Sequence, residues 1–157
     1  AEAFWMKKGI LGDTVPLELN AKELAHRNNK NSELTVYGYT PMMVSVQCVQ
    51  KTMDHCNHAC VQYVLKDRYQ KEFRGVCSCE FCYNTIYNTL PTSLLKEKEK
   101  AEKLGVKAYR LSFTTETQQE TEKIVRAFVD VYLRGQKPDG QMQTEETTKG
   151  HFQRGVE

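Results

Sequence analysis

The sequence predicts an α/β fold: a partial, half TIM-barrel-like βα repeat with an inserted cysteine-rich β-hairpin region. Strand-like segments, in which polar and apolar residues alternate, are followed along the chain by helical segments. This order favours parallel strands covered by helices. About four or five strands are predicted, fewer than a closed eight-stranded barrel needs. All six cysteines fall within residues 48–82, which we interpret as an insertion. The 157 residues, 39% of them hydrophobic, provide enough apolar material for the core of one domain and exclude disorder of the whole chain.

The first part of the chain predicts a βα unit followed by a further strand. Asn20 is a good N-cap because its side-chain oxygen can accept from a first-turn amide, and Glu23 is placed to complete a capping box. The next strand is predicted from alternation and β-branched content. The predicted elements are a helix over 1–9 that ends at Gly9, a strand over 15–19, a helix over 21–27, a strand over 33–37 and a short apolar run over 42–46.

The second part predicts a hairpin and then an αβα succession. Segments 63–67 and 71–76 flank a polar turn and predict the hairpin, while 83–90 predicts a strand or tight loop. Pro91 opens a helix that Gly105 closes. A strand over 106–113 follows, then a helix capped by Thr114 or Thr115 that ends at Gly135, and a polar tail over 136–157. The buried face predicted for this last helix consists of Ile124, Val125, Phe128, Val131 and Tyr132.

The cysteines are the main functional signal. A secreted scaffold held by disulfides usually spreads its cysteines along the chain, so their confinement to one stretch favours ligation of a metal or cluster in a reducing cell. Disulfide pairing and buried or incidental thiols are the alternatives. The spacing is Cys48-x7-Cys56-x3-Cys60 and then Cys77-x-Cys79-x2-Cys82.

Two cysteine groups can supply the four soft ligands that tetrahedral zinc or a four-iron cluster requires. The Cys79-x2-Cys82 pair is the strongest element because it places two thiolates on one turn. Six cysteines exceed four positions, so some are spare or are ligands in another state. His55 and His58 flank Cys56 and could replace a thiolate in a zinc site, although solvated loop histidines are the commoner situation.

Three residues are candidates for binding substrate. Arg68, in the turn of the predicted hairpin, could bind an anionic group, and an exposed turn ion pair with Asp67 is the commoner alternative. Arg110 lies among strand residues, where a charge needs a partner, and it could contact a ligand at a barrel mouth if Tyr109 and Leu111 point outward. Tyr83 follows the last cysteine and could contact a flat ligand or simply pack beside the metal loop.

Charge and hydropathy restrict the classes of partner. The formal net charge of +2 gives no broad attraction to nucleic acid or anionic lipid. No apolar run approaches the length of a membrane span, and no secretory leader is recognisable, so we expect a cytoplasmic protein that does not associate with membranes. No glycine-rich phosphate loop, HExxH helix or serine-centred elbow is present in the sequence.

Five stretches of the sequence carry a resemblance to a known family. The chain reads VYGYTPMMVS over 36–45, with Cys48 close behind, DRY over 67–69, CEFCYNTIYN over 79–88, YRLSF over 109–113 and GHFQRG over 150–155. In this order they resemble peptidase family U32, the collagenase-like proteases.

The resemblance implies a (βα)-barrel-like catalytic domain, of which this chain corresponds to the second half. Family members are described as peptidases, while several bacterial relatives hydroxylate ribosomal RNA, transfer RNA or a quinone precursor and carry a four-cysteine iron–sulfur site. By position, the matching cysteines are Cys48, Cys56, Cys79 and Cys82, whereas Cys60 and Cys77 depart from the pattern and leave the fourth ligand open between Cys56 and Cys60.

Two classes of function follow as expectations. In the first, the chain is part of an enzyme that acts on peptide, RNA or a quinone precursor with the help of a [4Fe-4S] cluster, and its partner is the remaining half of the barrel domain. In the second, it is a binding or structural module held by a zinc knuckle. Uncovered sheet edges would also favour homo-oligomers of the isolated chain.

Overall fold

Two four-stranded β-sheets organise the fold in the computed structural model, which describes residues 2–54, 56–138 and 146–154. Among these residues the sheets do not close into a barrel, and the fold is mixed α/β, as predicted. The strands are β1 (Asp13–Thr14), β2 (Ser32–Gly38), β3 (Pro41–Ser45), β4 (Val61–Lys66), β5 (Glu72–Ser78), β6 (Tyr83–Tyr87), β7 (Thr92–Ser93) and β8 (Ala108–Ser112). The α-helices are α1 (Glu2–Lys7), α2 (Ala21–Ala25), α3 (Val49–Thr52), α4 (Lys98–Lys103) and α5 (Gln118–Phe128).

The first sheet is centred on β2. Strands β1 and β8 pair parallel to β2, and β7 pairs antiparallel to its carboxyl end. The β1–α2–β2 crossover and the parallel β2–β8 pair confirm the predicted alternation. The capping box of α2 is also confirmed, because the Asn20 side chain accepts from the amides of Lys22 and Glu23 while Glu23 accepts from the Asn20 amide.

The hydrophobic core lies between this sheet and its helices. Tyr37 of β2 packs edge-on against Phe128 of α5, with ring centroids 6.1 Å apart. Helix α5 continues as a π-helical turn, Val129–Leu133, which buries Val131. Phe152, in the segment predicted to be a polar tail, is buried in the same core, and Thr148 pairs with Thr92.

The second sheet is antiparallel throughout, in the order β3-β6-β5-β4. The predicted hairpin is confirmed as β4 and β5, and the region over 83–90 contains β6. The sequence did not predict that β3 and β6 would join the hairpin. Pairing between strands that are far apart in the sequence depends on register and not on a local pattern. The region that the sequence presented as an insertion is therefore part of a complete second sheet.

Several predicted boundaries are wrong for local reasons. The strand predicted over 15–19 lies at Asp13–Thr14, after which Val15 makes one more backbone bond, to Glu33. Helix α5 is capped by Thr117 with Glu120, not by Thr114 or Thr115. Those two threonines donate their amides to the carboxylate of Glu116, so the chain is still turning there.

Two further differences concern the later helices. Pro91 precedes the short strand β7, and helix α4 begins only at Lys98, after a 3-10 turn at Leu95–Glu97. In α5, Val125 is 37% exposed and does not belong to the buried face. The longest described α-helix, α5, has 11 residues, and among the described residues no helix combines the length and apolarity that a membrane span requires.

Candidate metal centre

The order of the second sheet brings all six cysteines to one of its ends. Strand β3 ends there and β4 begins there, while β5 ends and β6 begins at the same side. At least one cysteine lies at or near each of these four strand ends, and every one of the six is a free thiol. The positions are Cys48 at the start of α3, Cys56 and Cys60 in the connection to β4, Cys77 in β5, Cys79 in the 3-10 turn after β5, and Cys82 directly before β6.

Cys48 and Cys77 form a buried pair. Their sulfur atoms are 3.8 Å apart, and Cys77 is fully buried. Burial, and then the hydrogen bond with Cys48, raises the pKa of Cys77 to about 11. The backbone amide of Lys51 lowers the pKa of Cys48. The first deprotonation of this pair is therefore favoured at Cys48, with Cys77 as the thiol donor.

A second group lies beside this pair. The ligand atoms of Cys56, His58 and Cys79 all lie within 4.8 Å of one another. Two ligand atoms about 2.3 Å from one tetrahedral ion are ~3.8 Å apart, so a group of this size suits a single metal ion. His55, the other predicted histidine, lies outside the described residues.

The sulfur atoms interact electrostatically across both groups. Burial raises the pKa of Cys79, and the negative charges of other cysteines raise it further, in the order Cys56, Cys82, Cys48 and Cys60. Burial and this repulsion together keep Cys77 and Cys79 protonated when no cation is bound. A bound cation reverses the effect, because it stabilises each thiolate that it ligates. The arrangement therefore fits a metal ion or cluster.

The loop that carries Cys56, His58 and Cys60 is held by one glutamine of α3. The side-chain amide of Gln50 donates to the carbonyl of Ala59 at 3.0 Å, and its oxygen accepts from the amide of Asn57 at 3.4 Å. Gln50 was not predicted as a functional residue, since nothing in its spacing distinguishes it from other polar residues of a short helix. Gln50 is therefore a positioning residue for this side of the centre.

Cys82 is at the exposed side of the cluster. It has left-handed backbone angles with φ 51°, and its thiol donates to the carbonyl of Cys79 at 3.7 Å. Tyr83 follows it and stacks on Phe81, with ring centroids 6.4 Å apart. Of the three predicted substrate contacts, Tyr83 alone lies at the cysteine end of the sheet.

The two predicted arginines lie elsewhere. Arg68 is in the turn between β4 and β5, at the opposite end of the hairpin, where its guanidinium lies 4.7 Å from the Tyr69 ring centre. A six-residue strand such as β4 is ~20 Å long, which separates this turn from the cysteines. Arg110, on β8 of the first sheet, forms an ion pair with Glu33. The structure therefore does not bring these residues together into one site.

Cys77 is closer to the other cysteines than its position in the sequence indicated. Cys77 departs from the cysteine pattern of the family that the chain resembles, but in the structure its sulfur lies 3.8 Å from that of Cys48. The available signal is the Cys77-x-Cys79 spacing, because two cysteines so close together, one at the end of β5 and one in the turn after it, can reach the same group.

Comparison of the chain with protein-family models, with curated proteins and with solved structures gave no match.

Proposed function

We propose that the cysteine end of the second sheet is a metal centre and that it belongs to an enzyme of the U32 type. The observation that supports the metal centre is that six free cysteines, located at or near four strand ends, lie together at one end of the sheet. Cys77 and Cys79, whose pKa values are raised chiefly by burial, are neutral thiols at neutral pH, and a soft metal ion bound in place of their protons stabilises the thiolate forms directly. Free thiols in this number also fit a reducing, cytoplasmic environment.

The proposed resident group is a [4Fe-4S] cluster with Cys48, Cys56, Cys79 and Cys82 as ligands, on the strength of the U32 resemblance. Such a cluster would supply electron transfer or Lewis acidity to a reaction of peptide, RNA or a quinone precursor. In this proposal the parallel strands β1, β2 and β8 form part of the wall of a half TIM-barrel. The remaining half of the barrel domain, or a second copy of the chain, would cover the edges that these strands leave open.

A single zinc ion in a structural knuckle is the second candidate. The closeness of His58 to Cys56 and Cys79 favours it, because a mixed nitrogen and sulfur set at tetrahedral distances is typical of zinc and not of a four-cysteine cluster. In this case the chain would be a binding module with no catalysis of its own.

Metal analysis together with visible spectroscopy tests the proposal and separates its two forms. The chain, and the full-length parent, would be purified without oxygen. A broad absorption band near ~400 nm with bound iron supports the cluster, and a colourless protein with one equivalent of zinc supports the knuckle. A colourless protein free of metal, in both preparations, would contradict the metal centre.

Alanine variants then assign the ligands. Cys79→Ala and Cys82→Ala are expected to abolish retention of the metal, and Cys77→Ala is expected to retain it if the family pattern holds. The sulfur of Cys77 lies 3.8 Å from that of Cys48. Loss of metal in Cys77→Ala would therefore show that the ligands include this buried pair and differ from the set that the family pattern implies.

A further inference from the structure

The cysteine end of the second sheet offers more ligand atoms than one metal ion can use. A tetrahedral zinc ion takes four ligands, whereas six free cysteines and His58 lie at or near this end among the described residues. Two tetrahedral ions have eight ligand positions, one more than the seven side chains fill singly. Two ions with complete sets of ligands would therefore share one sulfur, and a thiolate has the lone pairs to bridge them.

The ligand atoms form two groups, each with the spacing that one ion requires. The sulfurs of Cys48 and Cys77 are 3.8 Å apart. Two sulfurs bound at about 2.3 Å to one tetrahedral ion are likewise ~3.8 Å apart. The ligand atoms of Cys56, His58 and Cys79 lie within 4.8 Å of one another. No residue belongs to both groups, so one ion in the second group leaves the buried pair without a metal.

Strand register brings a third cysteine to the buried pair. Cys60 directly precedes Val61, and Val61 pairs with Cys77 across β4 and β5. Neighbouring strands are ~4.8 Å apart, so the chain at Cys60 runs beside the end of β5. Burial is the main cause of the raised pKa of Cys77, and nearby negative charges raise it further, those of Cys48, Cys79 and Cys60.

The turn between β5 and β6 brings Cys82 to the second group. Ser78 at the end of β5 pairs with Tyr83 at the start of β6, so this turn is short. The amide of Cys82 donates to the carbonyl of Cys79 at 3.3 Å. Burial is again the main cause of the raised pKa of Cys79, and the cysteines whose charges raise it most are Cys56 and Cys82.

Cys79 is the cysteine best placed to be shared. It is a member of the second group, and it follows Cys77 of the first group by two residues. It also interacts electrostatically with each of the five other cysteines, because four of them raise its pKa and it raises that of Cys77. A bridging sulfur requires this central position, since it has to lie within bonding distance of both ions.

We infer that this end of the sheet holds two zinc ions that are bridged by the sulfur of Cys79. The inference rests on the proposed metal centre, in its zinc form. The ligands of the first ion are Cys56, His58, Cys79 and Cys82. The ligands of the second ion are Cys48, Cys60, Cys77 and Cys79. Six thiolates and two zinc ions carry a net charge of −2, the same as one zinc ion held by four thiolates.

The burial of the second ion determines how it is loaded. Cys77 is fully buried and Cys48 is 6% exposed, so a metal ion has little access to this pair in the folded chain. Structural zinc ions are bound as the chain folds, because the site does not exist in the unfolded state. The metal therefore has to be present while the chain folds, either in the cell or during refolding.

Native mass spectrometry counts the ions in the chain when it is produced with zinc and purified without oxygen. We expect two zinc ions per chain. A single zinc ion, or an iron–sulfur cluster, overturns this inference but leaves the proposed metal centre standing. A chain free of metal overturns both.

Cadmium NMR tests the shared sulfur. The chain is refolded with ¹¹³Cd²⁺ and a reductant, since cadmium replaces zinc at thiolate sites and its nucleus is observable. We expect two resonances of equal intensity, each split by the other, because scalar coupling between the two nuclei passes through the sulfur of Cys79. A single resonance, or two resonances without splitting, overturns the bridge.

Variants assign the ligands, with circular dichroism to show that each one folds. Cys77→Ser and His58→Ala should each lower the content from two zinc ions to one, and Cys79→Ser should abolish the splitting. His26→Ala is the matched control because His26 is an exposed histidine at the end of α2, and it should retain both ions. Retention of two ions by folded Cys77→Ser or folded His58→Ala contradicts the assigned ligands.

Discussion

Replacement of Gln50 by leucine tests whether this side chain positions the loop that carries Cys56, His58 and Cys60, independently of the stability of the fold. Leucine fills a similar volume and suits a helix at least as well as glutamine, so α3 itself is preserved. The substitution removes the two hydrogen bonds that tie the loop to α3, from Nε2 to the Ala59 carbonyl and from the Asn57 amide to Oε1. The loop carrying Cys56, His58 and Cys60 then has to be ordered by the metal itself.

The expected magnitude follows from these two bonds. Both are exposed and one is long, so each contributes about 0.5–0.75 kcal/mol and the pair ~1–1.5 kcal/mol. If the lost free energy weakens metal binding and not folding, the affinity for the metal falls roughly tenfold. A change of this size is within the range found when groups that orient metal ligands are removed. The midpoint of thermal unfolding of the metal-free chain should change little.

A competition titration with a chromophoric zinc chelator measures the affinity, and circular dichroism monitors unfolding. Gln62→Leu provides the control, since Gln62 is an exposed glutamine of β4 outside these two contacts. Equal zinc affinity for Gln50→Leu and Gln62→Leu would refute the positioning role, and so would a loss of affinity that is matched by a loss of fold.

Three other substitutions test the fold and its buried polar groups. Tyr63→Phe should leave the free energy of unfolding unchanged or raise it slightly, because it removes a buried hydroxyl that has no hydrogen-bond partner among the described residues. Chemical denaturation that shows more than ~1 kcal/mol of destabilisation would contradict this. Glu97→Gln should destabilise by about 1 kcal/mol at pH 7, since hydrogen bonds from Lys100 and Lys149 hold the pKa of Glu97 below 4.5, and both lysines are half exposed. A carboxylate with a lowered pKa contributes stability above its unfolded pKa and loses it as the pH falls through the folded pKa. The two proteins should therefore converge once the pH lies below the lowered pKa of Glu97, and a difference that persists in acid melts argues against the ion pairs. Phe152→Ala should cost about 3 kcal/mol by truncating a buried ring, and a wild-type denaturation midpoint would show that the segment after Thr148 does not belong to the core.

Local chemistry determined the elements that the sequence predicted well. The capping box at Asn20 and Glu23 depends on residues within one helical turn, and the β4–β5 hairpin depends on alternation on both sides of a short turn. The cap of α5 shows the limit of such reasoning, because Thr114, Thr115 and Thr117 are chemically alike. The choice was made by Glu116, whose carboxylate accepts the two earlier amides and delays the helix.

The sequence by itself determined that six cysteines occupy one stretch and that soft ligands are abundant there, since identity and spacing are properties of the chain. Only the tertiary structure decided which of these sulfurs meet. Cys48 and Cys77 are in contact because β3, β6 and β5 are neighbours in a particular register, and pairing between distant strands is set by the burial of whole faces, not by any local pattern. The same register lays the Tyr63 ring across Gly75, a contact between strands that no spacing rule could have indicated.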